Sequence, residues 1–310
     1  MLLNSWLTAV KRGLSGIRAP RLPQRRSGAG DRGGKCPVAR AEQLEGRIVL
    51  SNVGYYDMSL GQGNPNQVAA IVASGQTPVQ LFDLTAADLI DIQVIDVQNP
   101  SNFGYGAEYL SRLPAIQNAV FAGAVLVIHD RFVDTAETIL PGGGGFNIIQ
   151  DFTDSSDIDV LDNTTLVTNG PGGIVNNTTL DGGNASSHGF AFSNSLPFGA
   201  KRILTTSDPT HIVTFGYNFG SGEVVYSSIP LDFYRGGFPP AAFGDIYAPN
   251  VIAYAALRAP ASIVVTPSSV AENAGNSAAF ITIRKQSWPV GSDLDLDLFF
   301  DDATEIAVPA

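Results

Sequence analysis

The sequence contains a single cysteine, Cys36, and no apolar run long enough to cross a membrane. One cysteine excludes an intrachain disulfide and any cysteine-rich metal site. A transmembrane helix needs about 18 or more consecutive apolar residues, so none is predicted. Histidine is also scarce, with three in 310 residues, and a histidine-based site therefore has few candidates.

Positive charge is concentrated in the first fifty residues. They carry ten Lys/Arg and three Asp/Glu, a balance of +7, whereas residues 51–310 carry eight and twenty-six, a balance of −18. The acidic residues 51–310 repel nucleic-acid phosphates, which argues against binding of DNA or RNA. The basic segment is rich in Arg, Gly and Pro with little to bury, and residues 1–51 are predicted to be disordered.

The end of this basic segment resembles an export motif. Residues 41–51 read Ala-Glu-Gln-Leu-Glu-Gly-Arg-Ile-Val-Leu-Ser, similar to the LE-x-R-x-LL-S leader of many secreted or surface proteins of planctomycete-type bacteria. The matching residues are Leu44, Glu45, Arg47, Leu50 and Ser51, with Val49 where Leu is commoner. The resemblance implies a secreted or cell-surface location. The alternative is a basic tail that carries no targeting signal.

Residues 52–258 alternate between strand and helix patterns. Strands are predicted at 53–57, 78–83, 92–96 and 124–128, and helices at 67–73, 86–90 and 107–122, with Pro114 marking a break or a second start in the last. This alternation favours a parallel sheet with right-handed crossovers, and we predict a three-layer, flavodoxin-like α/β domain. Three further strands, at 201–205, 211–217 and 222–229, and a helix over 247–257 are predicted to close it.

Each of the first four predicted strands ends in an acid or in His-Asp. Ligands of open α/β sheets gather where the carboxyl ends of the strands open into a crevice. We therefore predict a ligand-binding rim formed by Asp57, Asp83, Asp96, His129 and Asp130. The most uniformly apolar strand, 124–128, ends at His129, which makes His129 and Asp130 the best candidates for chemistry.

The layout of residues 52–258 is similar to that of class I glutamine-amidotransferase-like domains, with the helix at Asn64 and the strand end at His129 in similar places. Catalytic members of that family carry a Cys nucleophile on a turn after a strand. The only cysteine here is Cys36, in the basic tail, so the resemblance implies a domain without thiol chemistry. The spacing of a G-x-S-x-G nucleophile turn is also absent from the sequence.

A serine-based triad remains an alternative to this interpretation. It would combine one serine and one histidine with an aspartate, the candidates being Ser187, Ser227 or Ser228 with His129, His188 or His211. The five aspartates between Asp151 and Asp162 raise the further alternative of a calcium loop. Because the D-x-[DN]-x-[DN]-G frame is absent, we interpret them as solvated loop acids.

The C-terminal residues 259–310 alternate with period two, as β-strands do. Residues 262–284 include Ile-Val-Val-Thr-Pro-Ser-Ser-Val-Ala-Glu-Asn-Ala-Gly and resemble the start of a Calx-β domain. The resemblance implies an antiparallel sandwich that binds Ca²⁺, with Glu272 at the position of an early ligand and Asp301 and Asp302 as further candidates. Only about half of such a domain is present, so we predict an incomplete sandwich, either in a fragment of a longer protein or paired with another chain.

Together these features predict an exported, cell-surface or extracellular multidomain protein. Its leader would span 1–51, its non-catalytic α/β domain 52–258, and its partial Calx-β segment 259–310. The predicted partners are Ca²⁺ and an extracellular or surface ligand. The alternative is a hydrolase that uses His129 and Asp130, acting on a sugar or an ester.

Overall fold

A computed structural model describes residues 51–259 with their side chains, and after them the backbone of two short strands. The predicted disorder of the first fifty residues lies outside the described part. So do the three metal ligands predicted from the sequence, Glu272, Asp301 and Asp302. In the described part, none of the helices combines the length and apolarity that a membrane span requires.

Within residues 51–259, ten strands form one sheet and two form a small separate ladder. The strands are β1 (Asn52–Asp57), β2 (Thr77–Gln80), β3 (Val94–Asn99), β4 (Val125–Asp130), β5 (Ile148–Gln150), β6 (Asp159–Val160), β7 (Asn169–Gly170), β8 (Gly173–Ile174), β9 (Gly189–Phe192), β10 (Lys201–Thr205), β11 (His211–Phe219) and β12 (Gly222–Ser227). Strands β7 and β8 form the separate ladder.

The large sheet has the order β2-β1-β3-β4-β12-β11-β10-β6, with β9 beside β11 and β5 beside β9. The first five strands in this order are parallel to their neighbours. From β12 onward the pairings are antiparallel. The predicted mixed α/β architecture with a mostly parallel sheet is therefore confirmed.

Four α-helices accompany the sheet in the described part: α1 (Val68–Ala73), α2 (Ala107–Ala122), α3 (Leu231–Arg235) and α4 (Ala248–Arg258). A short 3-10 turn, Pro65–Gln67, precedes α1, and Asn64 begins it with a capping box that Gln67 completes. A π-helical turn, Phe243–Tyr247, leads into α4.

Two separate clusters of buried apolar residues lie against the sheet. Val94 and Val125 belong to the cluster that contains the buried residues of α4, such as Val251. Their neighbours in sequence, Ile95 and Leu126, belong to the cluster that contains the buried residues of α2. Successive residues of a strand point to opposite faces, so both faces of β3 and β4 are buried, as their uninterrupted apolar runs require.

Two predicted helical features are corrected by the structure. Residues 86–90 form only turns, where the Leu89 N–H donates to the Thr85 carbonyl at 3.1 Å and Asp91 follows with a φ of 62°. One capped turn without a longer apolar face is too short to continue as a helix. Pro114 does not break α2, because it lies on the exposed side of the helix, where water can bond the carbonyl that it leaves unpaired.

Two predicted strand ends are also wrong. The third strand continues to Asn99 and is buried over its whole length, so Asp96 lies inside it and not at its end. The second strand ends at Gln80, before Asp83. Sequence reasoning ended each strand at an acid. In the third strand, backbone pairing does not depend on side-chain polarity and continues past the buried Asp96. In the second strand, pairing with β1 stops at Gln80.

Beyond the α/β body, β13 (Ser262–Thr266) and β14 (Phe280–Arg284) pair as an antiparallel ladder, with Ser262 opposite Arg284. This small antiparallel sheet agrees with the strands predicted in this segment. Its assignment to a Calx-β sandwich stays a prediction.

Candidate functional site

The parallel strands bring polar residues together at their carboxyl ends. The register places Gln98 beside His129 and Asn99 beside Asp130. Because side chains alternate along a strand, Gln98 and His129 share the sheet face that α4 covers, and Asp130 shares the α2 face with Tyr226. The predicted pair of His129 and Asp130 is thus divided between two faces, and the two side chains cannot act on one atom.

Asp130 is fully buried and serves as an acceptor for four donors. Asn99 Nδ2 and the Phe132 backbone N–H each donate to Oδ1 at 2.9 Å. The hydroxyls of Tyr105 and Tyr226 donate to Oδ2 at 3.0 and 3.1 Å. Burial raises the pKa of Asp130, and these hydrogen bonds oppose the rise. A carboxylate occupied in this way holds the strand end together and has no lone pair oriented toward a ligand.

Asp57 is occupied in a similar way. Its Oδ1 accepts from the backbone N–H and the hydroxyl of Ser59 at 2.9 and 2.7 Å. Its Oδ2 accepts from Gln98 Nε2 at 2.6 Å and from Asn64 Nδ2 at 3.3 Å. Asp57 therefore joins the end of β1 to β3 and to the start of the first helical turn.

Asp83, the remaining predicted rim acid, forms an ion pair with Arg112 of α2. Arg112 Nε and Nη2 donate to the two carboxylate oxygens at 2.7 and 2.6 Å. This pairing lowers the pKa of Asp83. The pair is partly exposed, so Asp83 links a loop to α2 at the surface.

The fifth predicted rim residue, Asp96, belongs to a buried polar cluster of four residues, which we call the polar cluster: Asp96, Gln98, His129 and Arg235. Arg235 Nη1 lies 3.3 Å from Asp96 Oδ2, with side-chain exposures of 2% and 0%. His129 Nδ1 lies 3.9 Å from Asp96 Oδ1, too far for a hydrogen bond. Gln67 Nε2 of the first helical turn also donates to Asp96 Oδ2, at 3.1 Å.

Polar atoms without a partner are concentrated in this cluster. Eight buried side-chain atoms lack a hydrogen-bond partner among the described residues, and seven of them belong to this cluster: Asp96 Oδ1, Gln98 Oε1, His129 Nδ1 and Nε2, and Arg235 Nε, Nη1 and Nη2. A buried polar atom without a partner costs free energy. Such a concentration in one place is typical of a site that receives polar groups from outside the chain.

His129 is held neutral in the polar cluster. Burial, and then the positive charge of Arg235, keep the pKa of its imidazole well below 6.5. Its ring meets the Tyr247 ring edge to face, with 5.7 Å between centroids. An imidazole that resists protonation to this degree is a weak base.

The serines near the cluster form hydrogen bonds with groups other than histidine. Ser227 Oγ lies 2.9 Å from Thr214 Oγ1 and 3.0 Å from the Tyr247 hydroxyl. Ser228 Oγ donates to the Gly189 carbonyl at 2.5 Å. In residues 51–259 neither His129 nitrogen has a hydrogen-bond partner, so the geometry of a Ser-His pair is not formed there.

The other two histidines are held by structural contacts. His188 Nδ1 lies 2.7 Å from the Arg131 carbonyl. His211 stacks on Phe190 with 3.7 Å between ring centroids. Ser187 donates its backbone N–H to the Ser155 carbonyl at 3.0 Å and is itself buried.

Sequence reasoning missed Arg235, which is the only cation in the polar cluster of described residues. It lies at the end of α3, a five-residue helix that was not predicted. The signal was present as Pro230 before Leu-Asp-Phe-Tyr-Arg235, a proline that can begin a helix followed by a charged residue at each end. Only the tertiary structure shows that the Arg235 side chain reaches Asp96 of β3.

A cleft of about 310 Å³ lies beside the polar cluster, and Arg235 forms part of its wall. Asn66 and Tyr234 also line it, together with Phe238 and the exposed Ala69. Asn66 Oδ1 accepts a hydrogen bond from Gln98 Nε2 at 3.3 Å. The cleft and the cluster are therefore in contact through Asn66 and Arg235.

No group of three or more His, Cys, Asp or Glu side chains that could hold a metal ion is found in the described residues. Two of the aspartates between 151 and 162 accept hydrogen bonds from their own turns, and Asp159 lies in β6. Asp151 Oδ1 accepts from the Thr153 N–H and Asp162 Oδ1 from the Thr164 N–H, at 2.7 and 2.8 Å.

The burial of His188 can be tested through the pH dependence of the protein's stability. Burial lowers the pKa of His188 to about 4, whereas an unfolded chain has a histidine pKa near ~6.5. Between these values the unfolded state binds a proton that the folded state does not bind, so stability falls as pH drops from about 6.5 to 4. Part of the ring is exposed, so the slope should stay below the full ~1.4 kcal/mol per pH unit.

We expect the wild type to lose stability relative to His188→Gln across this window in urea melts at several pH values. The contributions of other titrating groups to the pH dependence cancel in this difference, because both proteins contain those groups. A stability difference that is independent of pH between 4 and 6.5 would contradict the assignment.

Comparison with solved structures gives remote likenesses. No family model matches the chain, and no curated protein matches it. The cytoplasmic protein STM3548 from Salmonella typhimurium is similar at a TM-score of 0.41 and 10% identity, over 66% of this chain and 98% of that chain. The exo-beta-1,4-mannosidase Op5Man5 from Opitutaceae bacterium strain TAV5 is similar at 0.38 and 10% identity, over 66% of this chain and 36% of that chain. At such scores no property is transferred from either protein.

Proposed function

We propose that this chain is an exported cell-surface or extracellular multidomain protein whose α/β body binds a ligand without transforming it. The observation that carries the proposal is the state of His129. It is buried, held neutral beside Arg235, and without a hydroxyl in hydrogen-bond reach among the described residues. A weak base that has no nucleophile to activate is poorly suited to hydrolysis.

Ligand binding is favoured by the unpartnered atoms of the polar cluster and by the adjoining cleft. Binding sites are concave and present a few polar groups in fixed positions. Arg235 offers donors and Gln98 offers an acceptor next to a cleft lined by Tyr234 and Phe238. The alternative hydrolase would need His129 and Asp130 together, although they face opposite sides of the sheet.

The test is an assay of the purified protein with chromogenic esters and glycosides, such as p-nitrophenyl acetate and p-nitrophenyl glycosides. We expect the same slow background rate from the wild type and from His129→Gln. The matched control is His211→Gln, a histidine outside the polar cluster. Hydrolysis that His129→Gln abolishes and His211→Gln preserves would establish the hydrolase instead.

We also propose that the body is flavodoxin-like and of the class I glutamine-amidotransferase-like type. The parallel order β2-β1-β3-β4-β12 supports this, because it is the 2-1-3-4-5 order of doubly wound sheets. Coverage of the β3 and β4 faces by α2 and α4 supports a three-layer arrangement.

For the C-terminal segment we propose binding of Ca²⁺ through Glu272, Asp301 and Asp302, on the Calx-β resemblance. Calcium titration of the full chain, followed by calorimetry, tests it. We expect heat of binding that is lost in the triple variant Glu272→Gln/Asp301→Asn/Asp302→Asn and kept in Asp151→Asn/Asp162→Asn. Heat that is unchanged in the first variant removes these three residues from the proposal.

Export is proposed on the motif that ends at Ser51. A reporter protein fused after residues 1–51 and expressed in a planctomycete should be recovered outside the cytoplasm. The matched control replaces Leu44, Glu45 and Arg47 by alanine, and recovery of the control reporter at the same level would overturn the proposal.

A further inference from the structure

A second cleft, which we call the strand-end cleft, lies where three neighbouring parallel strands end. The strands are β3, β4 and β12, which pair side by side, and the cleft has a volume of about 140 Å³. Its lining includes a residue that follows each strand, and side chains from two loops: Asn102, Arg131, Pro230, Asn184, His188 and Phe233. Ligands of open α/β sheets bind at this edge of the sheet.

His188 presents a hydrogen-bond acceptor at this cleft. Its Nδ1 lies 2.7 Å from the Arg131 carbonyl, and since a carbonyl only accepts, Nδ1 carries the ring proton. Burial lowers the pKa of His188 to about 4, so at neutral pH the other nitrogen, Nε2, is an acceptor. Nε2 has no hydrogen-bond partner among residues 51–259 and is not one of the buried unpartnered atoms, so solvent reaches it.

Arg131 and two asparagines add further polar groups to the lining. Arg131 Nε and Nη2 donate to the two carboxylate oxygens of Asp232, at 3.3 and 2.5 Å. Its third nitrogen, Nη1, has no partner among the described residues and is accessible to solvent. Asn102 and Asn184 are both exposed, and their amides can donate and accept. The strand-end cleft therefore offers both donors and acceptors to a ligand.

The charges around the cleft favour a neutral ligand. Arg131 and Asp232 neutralise each other, and His188 is uncharged at neutral pH. An anion that approached Arg131 would be repelled by the Asp232 carboxylate, and a cation would be repelled by the guanidinium.

The size and the aromatic contacts of the cleft narrow the choice of ligand. A cavity of about 150 Å³ holds one benzene ring, so the strand-end cleft accommodates one six-membered ring. Phe238 stacks on Phe233 with 4.1 Å between ring centroids, and the Arg131 guanidinium carbon lies 5.6 Å over the same ring. These contacts occupy the faces on which a flat aromatic ligand would stack. A saturated ring with several hydroxyls, each able to donate and accept, matches the polar lining instead.

We propose that the strand-end cleft binds one neutral hexopyranose unit, whose hydroxyls form hydrogen bonds with His188 Nε2, Arg131 Nη1 and the amides of Asn102 and Asn184. Free sugars and the ends of glycan chains share this chemistry, and the test separates them. The inference goes beyond the proposed function, which is carried by His129 and the polar cluster and names no ligand.

The experiment is titration of the full-length protein, followed by saturation-transfer difference NMR, with the methyl α-glycosides of D-glucose, D-galactose and D-mannose. We expect at least one of them to bind. Cyclohexanol, which keeps the ring but only one hydroxyl, should bind at least about tenfold more weakly because it loses several hydrogen bonds. The uronide of the preferred sugar should also bind more weakly, because its carboxylate approaches Asp232.

A disaccharide that ends in the preferred sugar distinguishes the two sources of the ligand. Binding at least as tight as that of the methyl glycoside identifies the end of a glycan, and weaker binding identifies the free sugar. Either result supports the strand-end cleft as a sugar site.

Two variants place the sugar in the cleft. His188→Asn keeps an N–H for the Arg131 carbonyl but loses the Nε2 acceptor, and should weaken binding about tenfold. Asn184→Trp, at an exposed position of the lining, guards against misfolding of the first variant, since it should abolish binding with an unchanged melting temperature. The matched control is Asn163→Trp, at an exposed asparagine of a different cleft, which should leave binding unchanged.

Three results would overturn the proposal. Cyclohexanol that binds as tightly as the glycosides would show an apolar site, and a uronide that binds more tightly would show an anion site at Arg131. Absence of binding by all three glycosides, or binding that Asn184→Trp leaves intact, would remove the sugar from this cleft. The non-catalytic proposal would still stand, because only hydrolysis dependent on His129 contradicts it.

Discussion

Replacing Asp130 by alanine should destabilise the protein by about 3–5 kcal/mol, among the largest losses expected for one side chain. Asp130 accepts hydrogen bonds from Asn99, Tyr105, Tyr226 and the Phe132 backbone, all at the end of β4. Truncation leaves the Tyr226 hydroxyl and the Phe132 N–H without an acceptor, and each unsatisfied buried donor costs about 1–3 kcal/mol before water enters the space. The Tyr105 hydroxyl and Asn99 Nδ2 keep hydrogen bonds to the carbonyls of Asp134 and Gly104. Water that enters the space left by the side chain keeps the total loss of stability below the sum of these costs.

Urea melts of wild type, Asp130→Asn and Asp130→Ala measure this loss. Asn keeps one acceptor oxygen and the shape of the side chain, so its loss should be intermediate. The matched control is Asp134→Ala, an exposed aspartate in the same loop, which should remain close to wild type. A loss below about 1 kcal/mol for Asp130→Ala, no greater than an ordinary single hydrogen bond, would show that the Tyr226 hydroxyl and the Phe132 N–H find other partners.

The sequence predicted the α/β body through features that act locally. The short, β-branched apolar run from Val125 to Ile128 favours a strand covered on both sides, and the structure buries it completely. The helix over 107–122 was predicted with the observed outer bounds, and Gly123, which takes a φ of 132°, ends it. Such elements depend on periodicity and end signals, which one sequence contains.

The polar cluster required information that no local pattern carries. Polar residues at positions 96 and 98 looked like the end of a strand and the start of a loop, although both are buried within β3. Asp96 is paired there with Arg235, which is far away in sequence and lies in a helix of five residues. Likewise, His129 and Asp130 are adjacent in sequence but face opposite sides of the sheet, so adjacency predicted a pair that strand geometry separates.

The ion pair between Asp96 and Arg235 should show strong energetic coupling. Removal of one member leaves the other charge buried without a counter-ion, which costs about 3–5 kcal/mol. We therefore expect Asp96→Asn and Arg235→Met each to lose stability in that range. The double variant leaves no buried charge, so it should lose clearly less than the sum of the two, with a coupling of about 2 kcal/mol or more.

A second double-mutant cycle on a pair at the surface is the matched control. Arg112 and Asp83 form a shorter pair, with 2.6 Å between Nη2 and Oδ2, but their side chains are 36% and 27% exposed. Water compensates either charge when its partner is removed, so Asp83→Asn, Arg112→Met and their double variant should show a much smaller coupling. Equal coupling in the two cycles would mean that water reaches Asp96 and Arg235 as freely as it reaches the surface pair. The polar cluster would then be a solvated edge of the sheet, and its unpartnered atoms would no longer favour a bound ligand.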